Sequence, residues 1–153
     1  NNSGNIFDHI EVNYLYPKGV RAYMAQRQQR RCHNENSDYL LGTKGRADIA
    51  RGVYIENAKG RWTYDGKREN MYQVEHNELF KSIRDGKPIN NGERMALSTM
   101  MAIMGRTAAY TGKEITYEQA LNSKEDRFPK DMNWKTGKHT PPPLAQPGIT
   151  PFV

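Results

Sequence analysis

The amino-acid sequence predicts an α+β fold: an open antiparallel sheet of about five or six strands, with helices on one face and an extended, proline-rich C-terminal tail. In the first 65 residues, short runs of alternating apolar and polar residues are separated by turn residues, which is typical of antiparallel strands. Beyond residue 74 the apolar residues recur at helical spacing instead. Strands followed by helices is the order found in α+β domains.

The strand predictions depend on three turns. Residues 7–28 contain two alternating runs around Pro17-Lys18-Gly19, which predicts a β-hairpin. The sequence GTKG at 42–45 and the sequence AKG at 58–60 each lie between two short apolar runs. The glycines of GTKG are too close together for a phosphate-binding loop, so this segment also predicts a hairpin turn.

Apolar periodicity predicts a first helix around 74–83 and a longer helix over 95–110, and a glycine follows each of them. Thr116 and Gln119 have the spacing of a capping box, which predicts a short third helix. After this helix the chain becomes rich in proline and irregular.

The composition indicates one folded domain with a tail. The chain has 153 residues, a formal net charge of +6 and one cysteine, Cys32, which excludes an internal disulfide. No apolar run approaches the roughly 20 residues that a membrane helix needs. We predict an α+β domain over 1–128 and a tail over 129–153 that packs on the domain or on a partner.

The sequence lacks the common motifs of cofactor and metal sites. It contains no G-x-G-x-x-G, no G-x-x-x-x-G-K-[ST], no G-x-S-x-G, no H-E-x-x-H and no C-x-x-C. We therefore expect that this chain binds no metal or dinucleotide by itself.

One long segment resembles a known protein family. Residues 75–121 read EHNELFKSIRDGKPINNGERMALSTMMAIMGRTAAYTGKEITYEQAL. This string, with the GTKG turn before it and the closing P-G-x-T after it, is similar to the C-terminal domain of the Gfo/Idh/MocA oxidoreductases. The likeness is to the bacterial subgroup with an extended C-terminus, and it covers nearly the whole chain.

The resemblance implies an NAD(P)-dependent oxidoreductase that transfers hydride to or from a hydroxyl carbon of a sugar or cyclitol. NAD or NADP would bind mainly to an N-terminal Rossmann domain, while this chain would supply substrate contacts and an oligomer interface on its open sheet face. Some members of the family use transient oxidation to cleave glycosides. The localisation stays open between cytoplasm and periplasm.

The sequence also departs from the family pattern. The Glu-Lys-Pro motif with the catalytic lysine, and the glycine-rich segment with its spaced Asp and His, are both absent. We therefore expect that this chain alone does not turn over substrate.

Five residues are candidates for a functional site. His9, beside Asp8 at the start of the first predicted strand, is the candidate catalytic residue, because a carboxylate can tune an imidazole as a general base. The alternation of side chains along a strand argues that Asp8 and His9 face opposite sides. The polar stretch after the second strand offers hydrogen-bond donors and acceptors to a polyhydroxylated substrate. Its candidate substrate-binding residues are Gln26, Arg27, Arg31 and His33.

Two other functions compete with this interpretation. The net charge of +6 and the run Arg27-Gln28-Gln29-Arg30-Arg31 would suit a basic nucleic-acid-binding module. Acidic residues are spread throughout the chain and no recognised nucleic-acid motif appears, so we predict neither a nucleic-acid nor a membrane partner. A non-catalytic structural or assembly domain would keep the sheet interface without a pocket that faces a cofactor.

Overall fold

A computed structural model describes residues 4–153 of the chain and confirms the α+β class with six strands in open antiparallel sheets. The strands are β1 (His9–Leu15), β2 (Arg21–Arg27), β3 (Tyr39–Gly42), β4 (Gly45–Asp48), β5 (Tyr54–Asn57) and β6 (Gly60–Thr63). The helices are α1 (Met71–Arg84), α2 (Gly92–Thr111) and α3 (Tyr117–Leu121).

The strands form two sheets, whereas the sequence predicted one. β1 pairs only with β2, and the other four strands form a separate sheet in the order β3-β4-β5-β6. The polar stretch 28–38 contains no strand, so the chain leaves the first hairpin before the second sheet begins.

The chain divides into two compact units, each with one of the sheets. The first unit contains the described residues up to Arg30 together with Asn90–Val153, and the second contains Arg31–Ile89. The predicted boundary at residue 128 separates a domain from its proline-rich tail, and it stays a prediction.

In the first unit, β1 and β2 form the predicted hairpin. A 3₁₀ turn over Pro17–Gly19 joins them, and the register runs from His9 opposite Arg27 to Leu15 opposite Arg21. Lys18 and Gly19 both have positive φ angles, of 63° and 77°. Glycine adopts this conformation at no steric cost.

In the same unit, α2 ends and α3 begins at the residues that the sequence predicted. Gly112 closes α2 in the left-handed conformation, with φ 68° and its N–H donating to the Ala108 carbonyl. α3 begins with a complete capping box, in which Thr116 accepts from the Gln119 N–H and the Gln119 side chain accepts from the Thr116 N–H.

Apolar burial is confined to the C-terminal half of α2 and its surroundings. Among residues 4–153 the buried apolar side chains are Tyr110 and Ala120. The C-terminal tail packs here, since the Gly148 N–H donates to the Thr111 carbonyl at 2.8 Å and the Ser123 hydroxyl donates to the Val153 carbonyl at 2.6 Å. The tail is therefore part of the first unit.

The second unit contains the four-stranded sheet and α1. The GTKG turn joins β3 to β4 and the AKG turn joins β5 to β6, as the sequence predicted. Asn70 caps the N-terminus of α1, and its side chain accepts hydrogen bonds from the N–H groups of Tyr72 and Gln73. In the part of the chain that the structure describes, no helix is both long and apolar enough to cross a membrane.

Candidate functional site

The strongest candidate for chemistry is a carboxylate–imidazole pair at the open end of the β1–β2 hairpin. His9 is the first residue of β1, and its Nδ1 lies 2.7 Å from the Oδ1 of Asp8. Both side chains are open to solvent, with exposed fractions of 70% for His9 and 52% for Asp8. A substrate could therefore reach the second ring nitrogen, Nε2.

Strand alternation argued that Asp8 and His9 face opposite sides, but the structure shows them in contact. Alternation holds only within a regular strand, and Asp8 lies one residue before β1, in a bend. Its side chain is free of the pleat and turns toward the imidazole.

The contact with His9 changes the electrostatic environment of Asp8. The hydrogen bond with His9 is the largest cause that lowers the pKa of the Asp8 carboxyl, and a hydrogen bond with Gln29 lowers it further. The Asp8 carbonyl also accepts from the Gln28 N–H at 2.7 Å, which fixes the backbone around the carboxylate. The lowered pKa keeps Asp8 ionised, and a carboxylate at this position favours a proton on Nδ1, which leaves Nε2 as the acceptor when the ring is neutral.

The register of the hairpin places one predicted substrate residue beside His9. Arg27 is directly opposite His9, so the two side chains lie on the same face of the hairpin. Gln26 is opposite Ile10 and lies on the other face. Gln26 and Arg27 therefore lie on opposite faces of the hairpin, and only Arg27 shares a face with His9.

The other two predicted residues belong to the second unit. Arg31 is its first residue and adopts a positive φ of 64°. The Nε2 of His33 lies 3.6 Å from the Oε2 of Glu35. The structure thus divides the predicted set between the units, with His9, Gln26 and Arg27 in the first.

Around His33 the structure shows a polar group that the sequence analysis did not single out. The Oε1 of Glu35 accepts hydrogen bonds from the Ser37 hydroxyl at 2.9 Å and the Tyr39 hydroxyl at 2.8 Å. The hydrogen bond from Tyr39 is the largest cause that lowers the pKa of the Glu35 carboxyl. In the sequence, the signal for this group was an acidic residue followed by hydroxyl residues two and four positions later.

The described residues do not form a cradle for a dinucleotide. Such a cradle needs a glycine-rich turn between a strand and the N-terminus of a helix. The loop before α1, residues 64–70, contains one glycine, and α2 follows another helix. Across residues 4–153, no group of three or more His, Cys, Asp or Glu side chains is arranged to hold a metal ion.

Comparisons with known proteins add no further identification. No family model matches the chain, and no curated protein or solved structure matches it significantly. The functional interpretation therefore depends on the sequence pattern and on the geometry around His9.

Proposed function

We propose that this chain is the C-terminal domain of an NAD(P)-dependent oxidoreductase that acts by hydride transfer on a hydroxyl group of a sugar or cyclitol. The cofactor, NAD or NADP, is held mainly by a Rossmann domain outside these 153 residues. The observation that carries the chemistry is the 2.7 Å contact between Asp8 and His9. The family resemblance of residues 75–121 supports the class of reaction.

Oxidation of a hydroxyl carbon requires a proton acceptor for the hydroxyl oxygen. In this proposal His9 is that acceptor, with Nε2 receiving the proton while Asp8 holds Nδ1–H and stabilises the imidazolium. In the reverse direction the same imidazolium returns the proton to the carbonyl oxygen.

Arg27 supplies the substrate contact nearest to His9. A guanidinium is a planar fork of N–H donors, a shape that suits the vicinal hydroxyl oxygens of a sugar. Arg27 lies on the same face of the hairpin as His9. Gln26, Arg31 and His33 stay in the proposal as further substrate contacts, on the basis of their residue types alone.

The oligomer interface of this proposal is the four-stranded sheet. This sheet exposes several large apolar side chains, among them Tyr39, Leu41, Ile55 and Trp62. Aromatic residues are enriched in interfaces between subunits. A second copy of the chain that covers this surface would remove it from water.

The first test is the reading frame upstream of Asn1. We expect it to encode a glycine-rich dinucleotide motif that follows a predicted strand and begins a helix. An upstream sequence without this motif would contradict the proposal.

The second test is a pair of histidine variants in the protein that contains both domains. With sugars and cyclitols as substrates and NAD(P) reduction as the readout, His9→Gln is expected to lower kcat by about 10²- to 10⁴-fold, as loss of a general base does. The matched control is His76→Gln, because the Nδ1 of His76 is also hydrogen-bonded, to the Tyr72 carbonyl at 2.6 Å. Equal losses in both variants would remove His9 from the chemistry.

A non-catalytic assembly domain is the second candidate function. The observation that favours it is the exposed apolar surface of the four-stranded sheet. Both functions predict an unchanged oligomeric state in the His9→Gln variant, but an assembly domain would show no NAD(P) binding in the complete protein. Isothermal titration with NAD and NADP separates the two functions.

A further inference from the structure

A second feature of the first unit, the free edge of β1, concerns binding and does not depend on the chemistry proposed for His9. In an antiparallel hairpin, alternate residues of each strand bond to the neighbour and the others point away from it. Tyr16 donates to Val20 at 2.9 Å, and Gln28 donates to Asp8 at 2.7 Å, so the even-numbered residues of this strand bond to β2. The backbone groups of His9, Glu11, Asn13 and Leu15 therefore point to the opposite edge.

This edge carries no strand in the part of the chain that the structure describes. An open edge presents a row of backbone donors and acceptors whose natural partner is another extended chain. The outer edge of β2 is open as well, so a second observation is needed to distinguish the two edges.

That observation is the position of α2. The Tyr14 hydroxyl donates to the Met101 carbonyl at 3.0 Å, and the Gly105 backbone faces Val12 and Tyr14. β1 packs on α2, whereas β2 makes no comparable packing contact with it. α2 is therefore displaced from the centre of the hairpin toward the free edge of β1.

The widths of the elements indicate one vacant strand position above α2. A helix with its side chains is about 10–12 Å across, and neighbouring strands are about 4.8 Å apart. The helix can therefore cover about two strands, of which β1 is one. A groove of about 1210 Å³ between β1, α2 and the start of α3 occupies the place of the second.

The charges along this groove specify the occupant. The helix residues that line it between Leu97 and Ala109 are uncharged. Each end of the helix side has one acid and one base, Glu93 with Arg94 and Lys113 with Glu114, and β1 contributes one further acid, Glu11. The uncharged stretch is about 18 Å long at 1.5 Å per helical residue. An extended chain covers this length with five or six residues at about 3.3 Å each.

We propose that the edge of β1 above α2 is a strand-addition site for an extended polypeptide segment from outside these 153 residues. The segment is uncharged over about five residues and places alternate apolar side chains on α2. A second copy of β1 does not fit, because symmetric pairing of two β1 edges would place two α2 helices beneath the same pair of strands.

The test uses the full chain and a capped nine-residue probe peptide, Lys-Thr-Val-Thr-Val-Thr-Val-Thr-Lys. Residue-resolved amide exchange by NMR is measured with and without the peptide. With the peptide at about ten times its Kd, exchange of His9, Glu11, Asn13 and Leu15 is expected to slow about 11-fold. The amides on the outer edge of β2, such as that of Tyr23, should not change. The absence of protection on β1, or equal protection of β2, overturns the proposal.

Two N-methylated peptides test the backbone pairing. Alternate amides of a strand point to opposite edges, so methylating either the valines or the threonines removes the donors of one edge only. We expect one of these peptides to lose binding and the other to keep it; loss with methylated threonines indicates an antiparallel segment. If both peptides bind or both fail, strand addition is wrong.

A pair of leucine variants tests the floor of the groove. Leu97→Glu introduces a charge under the added strand and is expected to weaken binding of the unmodified peptide roughly tenfold or more. The control is Leu121→Glu, a similarly exposed helical leucine of the same unit that does not line the groove. Equal affinities for the two variants contradict the proposal. Concentration-dependent protection of β1 without any peptide would assign the edge to a second copy and overturn it as well.

Discussion

Gly105 lies on α2 against the side chains of Val12 and Tyr14 of β1, and its substitution by alanine should destabilise the first unit. A methyl group at this position would overlap the Tyr14 hydroxyl and approach the ring carbon Cζ of Tyr14 to 3.2 Å. The Tyr14 hydroxyl is held by the Met101 carbonyl at 3.0 Å. The variant can keep α2 in place only if Tyr14 moves and gives up this hydrogen bond.

Opposing contributions determine how much Gly105→Ala changes the free energy of unfolding. Losing the hydrogen bond costs about 1 kcal/mol, and overpacking costs about 1–3 kcal/mol. Replacing glycine by alanine within a helix returns about 1 kcal/mol. We therefore expect Gly105→Ala to lower the free energy of unfolding by about 1–3 kcal/mol, although alanine is the better helix former.

A double-mutant cycle with Tyr14→Phe separates these contributions. In the Tyr14→Phe background the overlapping hydroxyl is absent, so the helix propensity of alanine should prevail and the effect should lie near zero or be stabilising. The assay is urea unfolding followed by circular dichroism, with a coupling energy of at least about 1 kcal/mol expected for neighbouring residues. The packing argument fails if Gly105→Ala has the same effect in both backgrounds.

Two further predictions concern local hydrogen bonds. Thr116→Ala removes half of the capping box of α3 and should cost about 1 kcal/mol, seen as faster amide exchange of Gln119. Tyr39→Phe removes the main hydrogen bond that lowers the pKa of Glu35, so that pKa should rise toward its usual value in a carboxyl NMR titration. Because folding lowers this pKa, Glu35 contributes stability above its unfolded pKa, and the contribution is lost as the pH falls through the folded value. An unchanged Glu35 titration would mean that Tyr39 does not hold the carboxylate.

The elements were predictable where the signals are local. The hairpin around Pro17–Gly19, the two later hairpins and the capping box of Thr116 depend on residues within a few positions of one another. The end of α2 at Gly112 was predictable in the same way, because a left-handed residue after a helix favours glycine.

The arrangement of the elements was less predictable. Alternating patterns show that strands form, but they do not show which strands pair, and here six strands form two sheets. Contact between Asp8 and His9 was missed because the strand begins one residue later than the alternation suggests. The position of Arg27 beside His9 could have been obtained by counting the hairpin register from the turn.

The helix α1 shows why an apolar pattern does not determine a core. Its predicted apolar face remains partly exposed, with exposed fractions of 42% for Leu79, 51% for Phe80 and 57% for Ile83. Local interactions hold the helix instead: the Asn70 cap contributes about 1 kcal/mol, and the pair of Gln73 with Asn77 adds about 0.2–0.5 kcal/mol.

Such contributions are small for a helix of 14 residues, since isolated helices of this length are marginal in water. Complete burial of a large apolar side chain contributes about 1.5–3 kcal/mol, and these side chains realise roughly half of it. An apolar surface that covers α1 would therefore stabilise it by a few kcal/mol. That gain exceeds the combined contribution of the Asn70 cap and the Gln73–Asn77 pair, so contact with another surface would explain the periodicity of α1 better than these two interactions do.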